Sequence, residues 1–222
     1  MRIGIAGAHG KIARELTRRL VAQGHYVTGL IRNPDHAADL RQDGADPVVL
    51  DLESATAQEV ADVLTGADAV VFAAGAGPGS GVERKDSVDR AASVLLADAA
   101  EIAGVGRFLQ ISSMGADSVD GGARPEGMDD VFYAYLLAKL AAEQDLQARK
   151  QLNWTIIRPG GLTDEPGTGR VKLAAKTGFG SIPRADVASV LAALLVGNIG
   201  RSTVLELTSG EQTVRDAVSA LA

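Results

Sequence analysis

The chain has 222 residues, a formal net charge of −6 and no cysteine. The negative charge disfavours nonspecific nucleic-acid binding, which needs Lys and Arg against phosphates. Without cysteine there is no disulfide, thiol nucleophile or thiolate metal site, and the three histidines show no metal-ligand spacing. The residues that follow Met1 form an apolar strand pattern, so we expect no targeting segment, and there is no run of about 18 apolar residues. We therefore expect a cytoplasmic protein with neither a metal nor a membrane partner.

Short apolar runs alternate with amphipathic stretches along most of the chain. Several runs lack polar alternation, as in parallel strands that are covered on both faces. Strands are predicted at residues 2–6, 26–31, 47–50, 69–73, 107–111, 154–157 and 203–207. Helix ends are marked by Gly24 as a left-handed cap, by Asn33-Pro34 and by a capping box at 56–59. This order predicts an α/β fold, with one doubly wound parallel sheet in a single domain of residues 1–222.

Two glycine-rich segments, residues 75–81 and 115–128, interrupt the alternation. Each follows a predicted strand and so leaves the carboxyl edge of the sheet, where open α/β sheets bind ligands. They could be substrate-binding loops, and they could equally be surface insertions.

The first predicted strand runs into Gly-x-x-Gly-x-x-Ala at residues 7–13, which opens the first helix. Gly7 permits a tight turn, Gly10 lets the backbone approach a phosphate, and Ala13 keeps the helix close to the sheet. A dinucleotide pyrophosphate would then meet the free N–H groups of the helix N-terminus. A glycine turn without a ligand is the alternative, with His9 as a tolerated loop residue. The predicted contacts are Gly7, His9, Gly10, Lys11 and Ile12.

The end of the second strand indicates which nicotinamide cofactor binds. NAD sites usually place an acid there to bind the ribose 2′-hydroxyl, whereas this chain has Arg32. A guanidinium binds a 2′-phosphate, so NADP(H) is predicted over NAD, with a solvent-facing arginine as the alternative. Asp51 and Leu52 are expected beside the adenine, although Asp51 could be a turn residue. The segment expected under the ribose and nicotinamide is Ala73, Ala74 and Gly75.

Tyr135 and Lys139 are spaced so that they share one face of a helix. An ammonium near a tyrosine hydroxyl lowers its proton affinity, so the tyrosine can exchange a proton with a substrate oxygen. The alternative is a packing stripe on a core helix, formed by Tyr133, Tyr135, Leu136 and Leu140.

Five motifs occur together in a familiar order. They are the glycine turn, Arg32-Asn33-Pro34, Ile-Ser-Ser-Met-Gly at 111–115, Tyr-Leu-Leu-Ala-Lys at 135–139 and Ile-Arg-Pro-Gly-Gly-Leu at 157–162. Over nearly the whole chain they resemble the atypical short-chain dehydrogenase/reductases, in the branch near NmrA-like and biliverdin reductase B-like proteins. The resemblance implies a sheet ordered 3-2-1-4-5-6-7, without the larger substrate domain of sugar-epimerising relatives.

The resemblance also implies residue roles. Tyr135 would donate the proton, Lys139 would activate it and bind cofactor, and Ser113 would hold the substrate oxygen. Asp89 stands where the family usually has Asn, and it cannot donate as an amide does. Further implied cofactor contacts are Ser112, Pro159, Gly160 and Leu162.

The function expected from these features is an NADP(H)-dependent oxidoreductase acting on a small carbonyl or conjugated substrate. Two alternatives stay open. One is a catalytically silent NADP(H) sensor that acts through a protein partner, which Asp89 leaves possible. The other is an NAD(P)-dependent epimerase or dehydratase, for which little chain is left to bind a nucleotide sugar.

Overall fold

A nine-stranded sheet runs through the computed structural model, which describes residues 1–77 and 79–221. Its strands are β1 (Arg2–Ala6), β2 (Tyr26–Ile31), β3 (Asp46–Val49), β4 (Ala69–Phe72), β5 (Arg107–Ile111), β6 (Asn153–Pro159), β8 (Arg170–Ala174), β10 (Thr203–Ser209) and β11 (Gln212–Thr213). A separate parallel pair consists of β7 (Gly161–Thr163) and β9 (Ser181–Pro183).

The order across the large sheet is β11-β8-β10-β6-β5-β4-β1-β2-β3. Seven neighbouring strands in this order, β10-β6-β5-β4-β1-β2-β3, are all parallel. Strand β10 is the seventh strand predicted from the sequence. The predicted order 3-2-1-4-5-6-7 is therefore confirmed. The sheet is wider than predicted, because β8 adds antiparallel to β10 and β11 adds antiparallel to β8.

Helices cover both faces of this sheet. They are α1 (Lys11–Ala22), α2 (Ala37–Gln42), α3 (Ala57–Leu64), α4 (Val82–Arg84), α5 (Ala92–Ile102), α6 (Asp130–Ala148), α7 (Arg184–Gly197) and α8 (Val214–Ser219). Helices α1 and α7 pack on one face, against strand residues such as Ile3 and Ile5, and α3 and α5 pack on the other, against Val70 and Phe72. No helix in the described part of the chain is long and apolar enough to cross a bilayer.

The predicted helix ends have clear local causes. The Thr56 hydroxyl accepts a hydrogen bond from the Glu59 N–H at 3.2 Å, and the Glu59 carboxylate accepts one from the Thr56 N–H at 2.7 Å. Gly24 follows α1 with a φ of +79°, as the left-handed cap requires. The Asn33 Oδ1 accepts a hydrogen bond from the Asp35 N–H at 3.0 Å. This cap begins a 3₁₀ turn, Pro34–His36, which precedes α2.

The two glycine-rich segments differ in structure. Segment 115–128 contains a 3₁₀ helix, Ala116–Gly122, which buries Ala116 and Val119 against Leu136 and Leu140 of α6. It is thus part of the packed structure beside α6. In the other segment, residues 75–77 and 79–81 form no helix or strand, and they lead into α4 and a π-helical turn, Lys85–Ala91.

Candidate active site

A groove of about 310 Å³ lies at the carboxyl ends of β1, β2, β3 and β4. Strands β2 and β4 lie on opposite sides of β1, so the order of the strands reverses at this point. Open α/β sheets bind ligands at such a reversal. The predicted cofactor residues that line it are Gly7, His9, Gly10, Arg32, Asp51, Leu52, Ala73, Ala74 and Gly75.

The glycine turn is built for close backbone approach. Gly7 has a φ of +73°, and a Cβ there would lie 2.5 Å from the Ala74 Cα, so no side chain fits. Gly10 precedes α1 without a side-chain cap, and its Cβ would lie 3.2 Å from the Gly7 oxygen. The first-turn N–H groups of α1 therefore have no partner among the described residues. Open N–H groups beside a glycine cradle fit a pyrophosphate.

A cluster of opposite charges lies at the end of the groove that Arg32 lines, here called the Arg32 end. The Glu53 Oε2 accepts hydrogen bonds from Arg32 at 3.2 Å and from Arg84 at 2.9 Å, and Oε1 accepts one from Ser87 at 2.7 Å. The Arg32 side chain is 53% exposed. The Asp51 carboxylate accepts the Glu53 N–H at 3.0 Å, so Asp51 both lines the groove and shapes the turn. The sequence analysis missed Glu53 and Arg84.

His9 is held by its neighbours in the groove wall. Its ring stacks on His36 with the centroids 3.6 Å apart, and its Nε2 lies 2.8 Å from Asp39. The hydrogen bond with His9 and the charge of Arg14 keep the pKa of Asp39 below its usual value. Among residues 1–77 and 79–221, no group of three or more His, Asp or Glu is arranged to hold a metal ion.

Several residues predicted to contact cofactor do not line this groove. Lys11 forms a 2.5 Å ion pair with Asp164, and the Ile12 side chain lies in the core beneath α1. The implied contacts after β6 also lie elsewhere, since a Cβ on Gly160 would meet the Gly180 oxygen at 2.2 Å and Leu162 is 39% exposed on β7. The others outside the lining are Ser112, Lys139 and Pro159.

Beyond the Gly75 end of the groove, Lys139 and Asp89 form a buried ion pair. The Lys139 Nζ lies 3.1 Å from the Asp89 Oδ1, donates to the Ile111 carbonyl at 3.2 Å and lies 5.7 Å from the centre of the Tyr135 ring. The Asp89 Oδ2 accepts the Ala76 N–H at 3.2 Å, which ties the pair to the loop after β4.

Electrostatics favour a charged Lys139. Burial lowers the pKa of its ammonium, but the acidic groups of Tyr135, Asp89 and Glu143 outweigh that effect and raise the pKa above its usual value. Because the raised pKa keeps Lys139 cationic at neutral pH, a positive charge persists beside the tyrosine. Asp89 thus pairs with the lysine that lies beside the tyrosine, a contact that needs no amide donor.

The two serines after β5 have different surroundings. The buried Ser112 hydroxyl donates to Glu143. The Glu143 carboxylate also accepts three hydrogen bonds from Arg158, at 2.9 and 3.2 Å from Nε and 2.5 Å from Nη2. The half-buried Ser113 hydroxyl donates to the Met114 carbonyl at 3.2 Å. Ser113 is therefore the more accessible hydroxyl. Sequence analysis missed the Glu143–Arg158 pair, although Glu143 lies one helical turn after Lys139.

The predicted packing stripe on α6 also exists. Leu136 and Leu140 are buried in a small cluster, against which Tyr133 and Tyr135 pack. The Tyr135 ring further stacks on Phe132 at 5.9 Å, and its hydroxyl has no hydrogen-bond partner within the described residues. Packing of the ring leaves that hydroxyl available for a substrate.

A second buried lysine, missed by the sequence analysis, approaches the same tyrosine. Lys85 is 8% exposed, and its Nζ donates to the Gly77 carbonyl at 3.0 Å. This Nζ lies 5.4 Å from the centre of the Tyr135 ring. Lys85 and Asp89 are four residues apart in the π-helical turn, which packs on α6. The four-residue spacing between Lys85 and Asp89 was the sequence signal that could have indicated Lys85 as a site residue.

Comparison with known proteins places this chain in a family. The sequence matches the NAD(P)H-binding family over residues 7–198. YhfK of Bacillus subtilis (strain 168), named as an uncharacterised sugar epimerase, is 32% identical over the full length of both chains.

Solved structures give the same result. A Bacillus halodurans protein, named as a candidate NAD-dependent epimerase/dehydratase, is 34% identical over all of both chains, with a TM-score of 0.89. ChuY, an anaerobillin reductase of Escherichia coli O157:H7, is 27% identical over 96% of this chain and 99% of its own, with a TM-score of 0.79. The chain belongs to the NAD(P)H-binding family, with structural neighbours among the atypical short-chain dehydrogenase/reductases, and it binds a nicotinamide cofactor.

Proposed function

We propose that the protein is an NADP(H)-dependent oxidoreductase that acts on a small carbonyl or conjugated compound. The observation that carries this proposal is the half-buried Tyr135 beside the buried Lys139–Asp89 pair, next to the Gly75 end of the groove. A bound nicotinamide supplies or accepts the hydride, and the protein must supply the proton.

The proposed cofactor contacts follow the groove. The glycine turn and the open first turn of α1 bind the pyrophosphate, Asp51 and Leu52 border the adenine, and the segment 73–75 lies under the ribose. Arg32 binds the 2′-phosphate. Since Glu53 now accepts hydrogen bonds from Arg32 and Arg84, the phosphate replaces this carboxylate as the partner of the guanidinium groups.

The catalytic roles follow from burial and charge. Tyr135 donates a proton to the substrate oxygen, and the Lys139 ammonium stabilises the resulting phenolate. Ser113 holds the substrate oxygen through its accessible hydroxyl. Asp89 is a positioning residue, because it holds Lys139 and the loop N–H of Ala76.

An epimerase or dehydratase is the second candidate, and the names of the Bacillus subtilis and Bacillus halodurans relatives favour it. The name of ChuY favours a reductase. The two functions differ in cofactor turnover, since an epimerase returns its hydride to the same substrate and leaves the free NADPH concentration unchanged.

The test is a screen of aldehydes and ketones with NADPH and NADH, in which the absorbance of the reduced nicotinamide measures turnover. Quinones and flavins are poor substrates for this test, because direct hydride transfer to them needs no protein acid. We expect at least one carbonyl compound to be reduced, with NADPH preferred. If tight NADPH binding is found but no carbonyl compound is reduced, the oxidoreductase proposal is wrong.

A further inference from the structure

The buried charges around Tyr135 do not balance. Lys85 and Lys139 each bring an ammonium close to the ring, whereas Asp89 is the one carboxylate in ion-pair contact with either of them among the described residues. Lys85 has no carboxylate oxygen within 4.0 Å in that part of the chain, and its Nζ donates to the Gly77 carbonyl. A buried ammonium without a counter-ion is unfavourable, because a single carbonyl replaces little of its hydration. The site is therefore suited to one further negative charge.

The local helix geometry puts Lys85 in this position. Residues 85–91 form a π-helical turn between α4 and α5, with Lys85, Val88 and Asp89 buried. Such turns are rare and frequently occur at functional sites. This one carries Lys85 and Asp89 to α6, so that both catalytic candidates on that helix, Tyr135 and Lys139, have a polar neighbour from it.

The surroundings of Lys85 indicate what accompanies the negative charge. Phe132 stacks on Tyr135 and remains 46% exposed, and Val82, on the short helix α4 that packs on α6, is 49% exposed. Exposed apolar groups on the two helices that adjoin the Lys85 turn suit a ligand with an apolar body and an anionic group.

We propose that Lys85 binds the carboxylate of an apolar or aromatic substrate that also carries a carbonyl group. Tyr135 protonates the oxygen of that carbonyl group. This inference rests on the proposed oxidoreductase function and names the substrate class for it. The carboxylate supplies the missing counter-charge for Lys85, whereas Lys139 keeps Asp89 and remains the partner of the tyrosine.

The test uses benzoate and benzamide, which share a planar aromatic body and differ in charge. Each is titrated into NADPH-saturated protein by calorimetry, so the test needs no turnover. We expect benzoate to bind at least tenfold tighter than benzamide to the wild type. In Lys85→Met benzoate affinity falls at least tenfold, benzamide affinity stays within twofold, and Lys85→Arg retains benzoate binding within about threefold of wild type. The exposed Lys150→Met serves as the control and leaves both affinities unchanged.

Three results would overturn the inference: no benzoate binding by the wild type, equal binding of benzoate and benzamide, or unchanged benzoate affinity in Lys85→Met. NADPH affinity is measured in the same variants, with Lys85→Gln as a second substitution if Lys85→Met fails to fold. A tenfold loss of NADPH affinity in whichever of these two variants folds would make Lys85 a cofactor ligand instead. Failure of the proposed function is a separate result, because it appears as the absence of carbonyl reduction.

Discussion

The two ends of the groove carry similar charges in different surroundings. At the Arg32 end, Arg32, Glu53 and Arg84 form ion pairs with side chains that are 27% to 53% exposed. Beyond the other end, the Lys139–Asp89 side chains are 4% and 1% exposed. Water and salt screen the first cluster, so its pairs contribute little to stability and can exchange for a ligand phosphate. In the second cluster removal of one charge leaves the other buried without a partner.

The difference separates selectivity from chemistry. An exposed ion pair can be broken at small cost, so the Arg32 end is suited to the proposed exchange of Glu53 for a 2′-phosphate. A buried pair keeps a fixed charge beside Tyr135 in a weakly screened environment, so the other end is suited to proton transfer.

The largest difference between the two charge clusters should be in their contribution to the free energy of unfolding. Asp89→Ala leaves the Lys139 ammonium buried without its partner, and we expect it to lower the free energy of unfolding by about 3–5 kcal/mol. Glu53→Ala breaks two exposed pairs and should cost no more than about 1 kcal/mol. Urea denaturation of both variants measures the difference, and equal losses would remove the distinction between the two clusters.

Next in size is the loss of cofactor binding on closing the glycine turn. In Gly10→Val the added side chain occupies the space beside Gly7 and the first turn of α1, so NADPH affinity should fall at least about a hundred-fold, or about 2.7 kcal/mol. The far-ultraviolet circular dichroism spectrum should stay that of wild type. Gly106→Val, at the amino end of β5, is the control and should bind NADPH normally. Full NADPH affinity in Gly10→Val would place the pyrophosphate elsewhere.

Cofactor choice should respond to Arg32. A charge-assisted contact contributes about 1.5–3 kcal/mol, so Arg32→Ala should weaken NADPH binding about ten- to a hundred-fold and leave NADH binding nearly unchanged. Fluorescence titration with both cofactors gives the ratio. The exposed Arg41→Ala on α2 should leave both affinities unaltered. Equal losses for NADPH and NADH in Arg32→Ala would contradict the 2′-phosphate assignment.

The smallest effect concerns Glu53, which competes with the phosphate for Arg32 and Arg84. Glu53→Gln removes the competing charge, and because exposed ion pairs contribute up to about 1 kcal/mol, NADPH affinity should rise by up to about fivefold. The gain should diminish at high salt, where exposed charges are screened. A fall in NADPH affinity would instead make Glu53 a direct contact of the ribose.

The parts of the structure that depend on local sequence were predictable. Apolar runs marked the seven parallel strands within a few residues, and Thr56 and Gly24 marked helix ends through their own chemistry. Helix α7 was missed because it is apolar nearly all round, with eight buried residues, and so it lacks amphipathic periodicity. Strand β8 alternates buried Val171 and Leu173 with exposed Lys172, but five residues give a weak signal and its partner β10 comes about 30 residues later.

The same division applies to the candidate site. The groove positions of Gly7, Gly10 and Arg32 were predictable because each residue lies where a strand meets the next element of the chain. Glu53 and Lys85 were not, because their positions depend on neighbours that only the folded chain brings together, such as Arg84 and Tyr135.

We propose that proton transfer at the buried end is separate from cofactor binding in the groove. The most direct test measures kcat for a reducible carbonyl substrate and the Kd of NADPH in wild type, Tyr135→Phe and Tyr133→Phe. Tyr135→Phe keeps the ring and removes the hydroxyl, so kcat should fall by about 10² to 10⁴ while the Kd stays within about twofold. Tyr133→Phe, which loses only a hydrogen bond to the Gly122 carbonyl, should change neither. An unchanged kcat in Tyr135→Phe would contradict the account and leave Tyr135 as a packing residue.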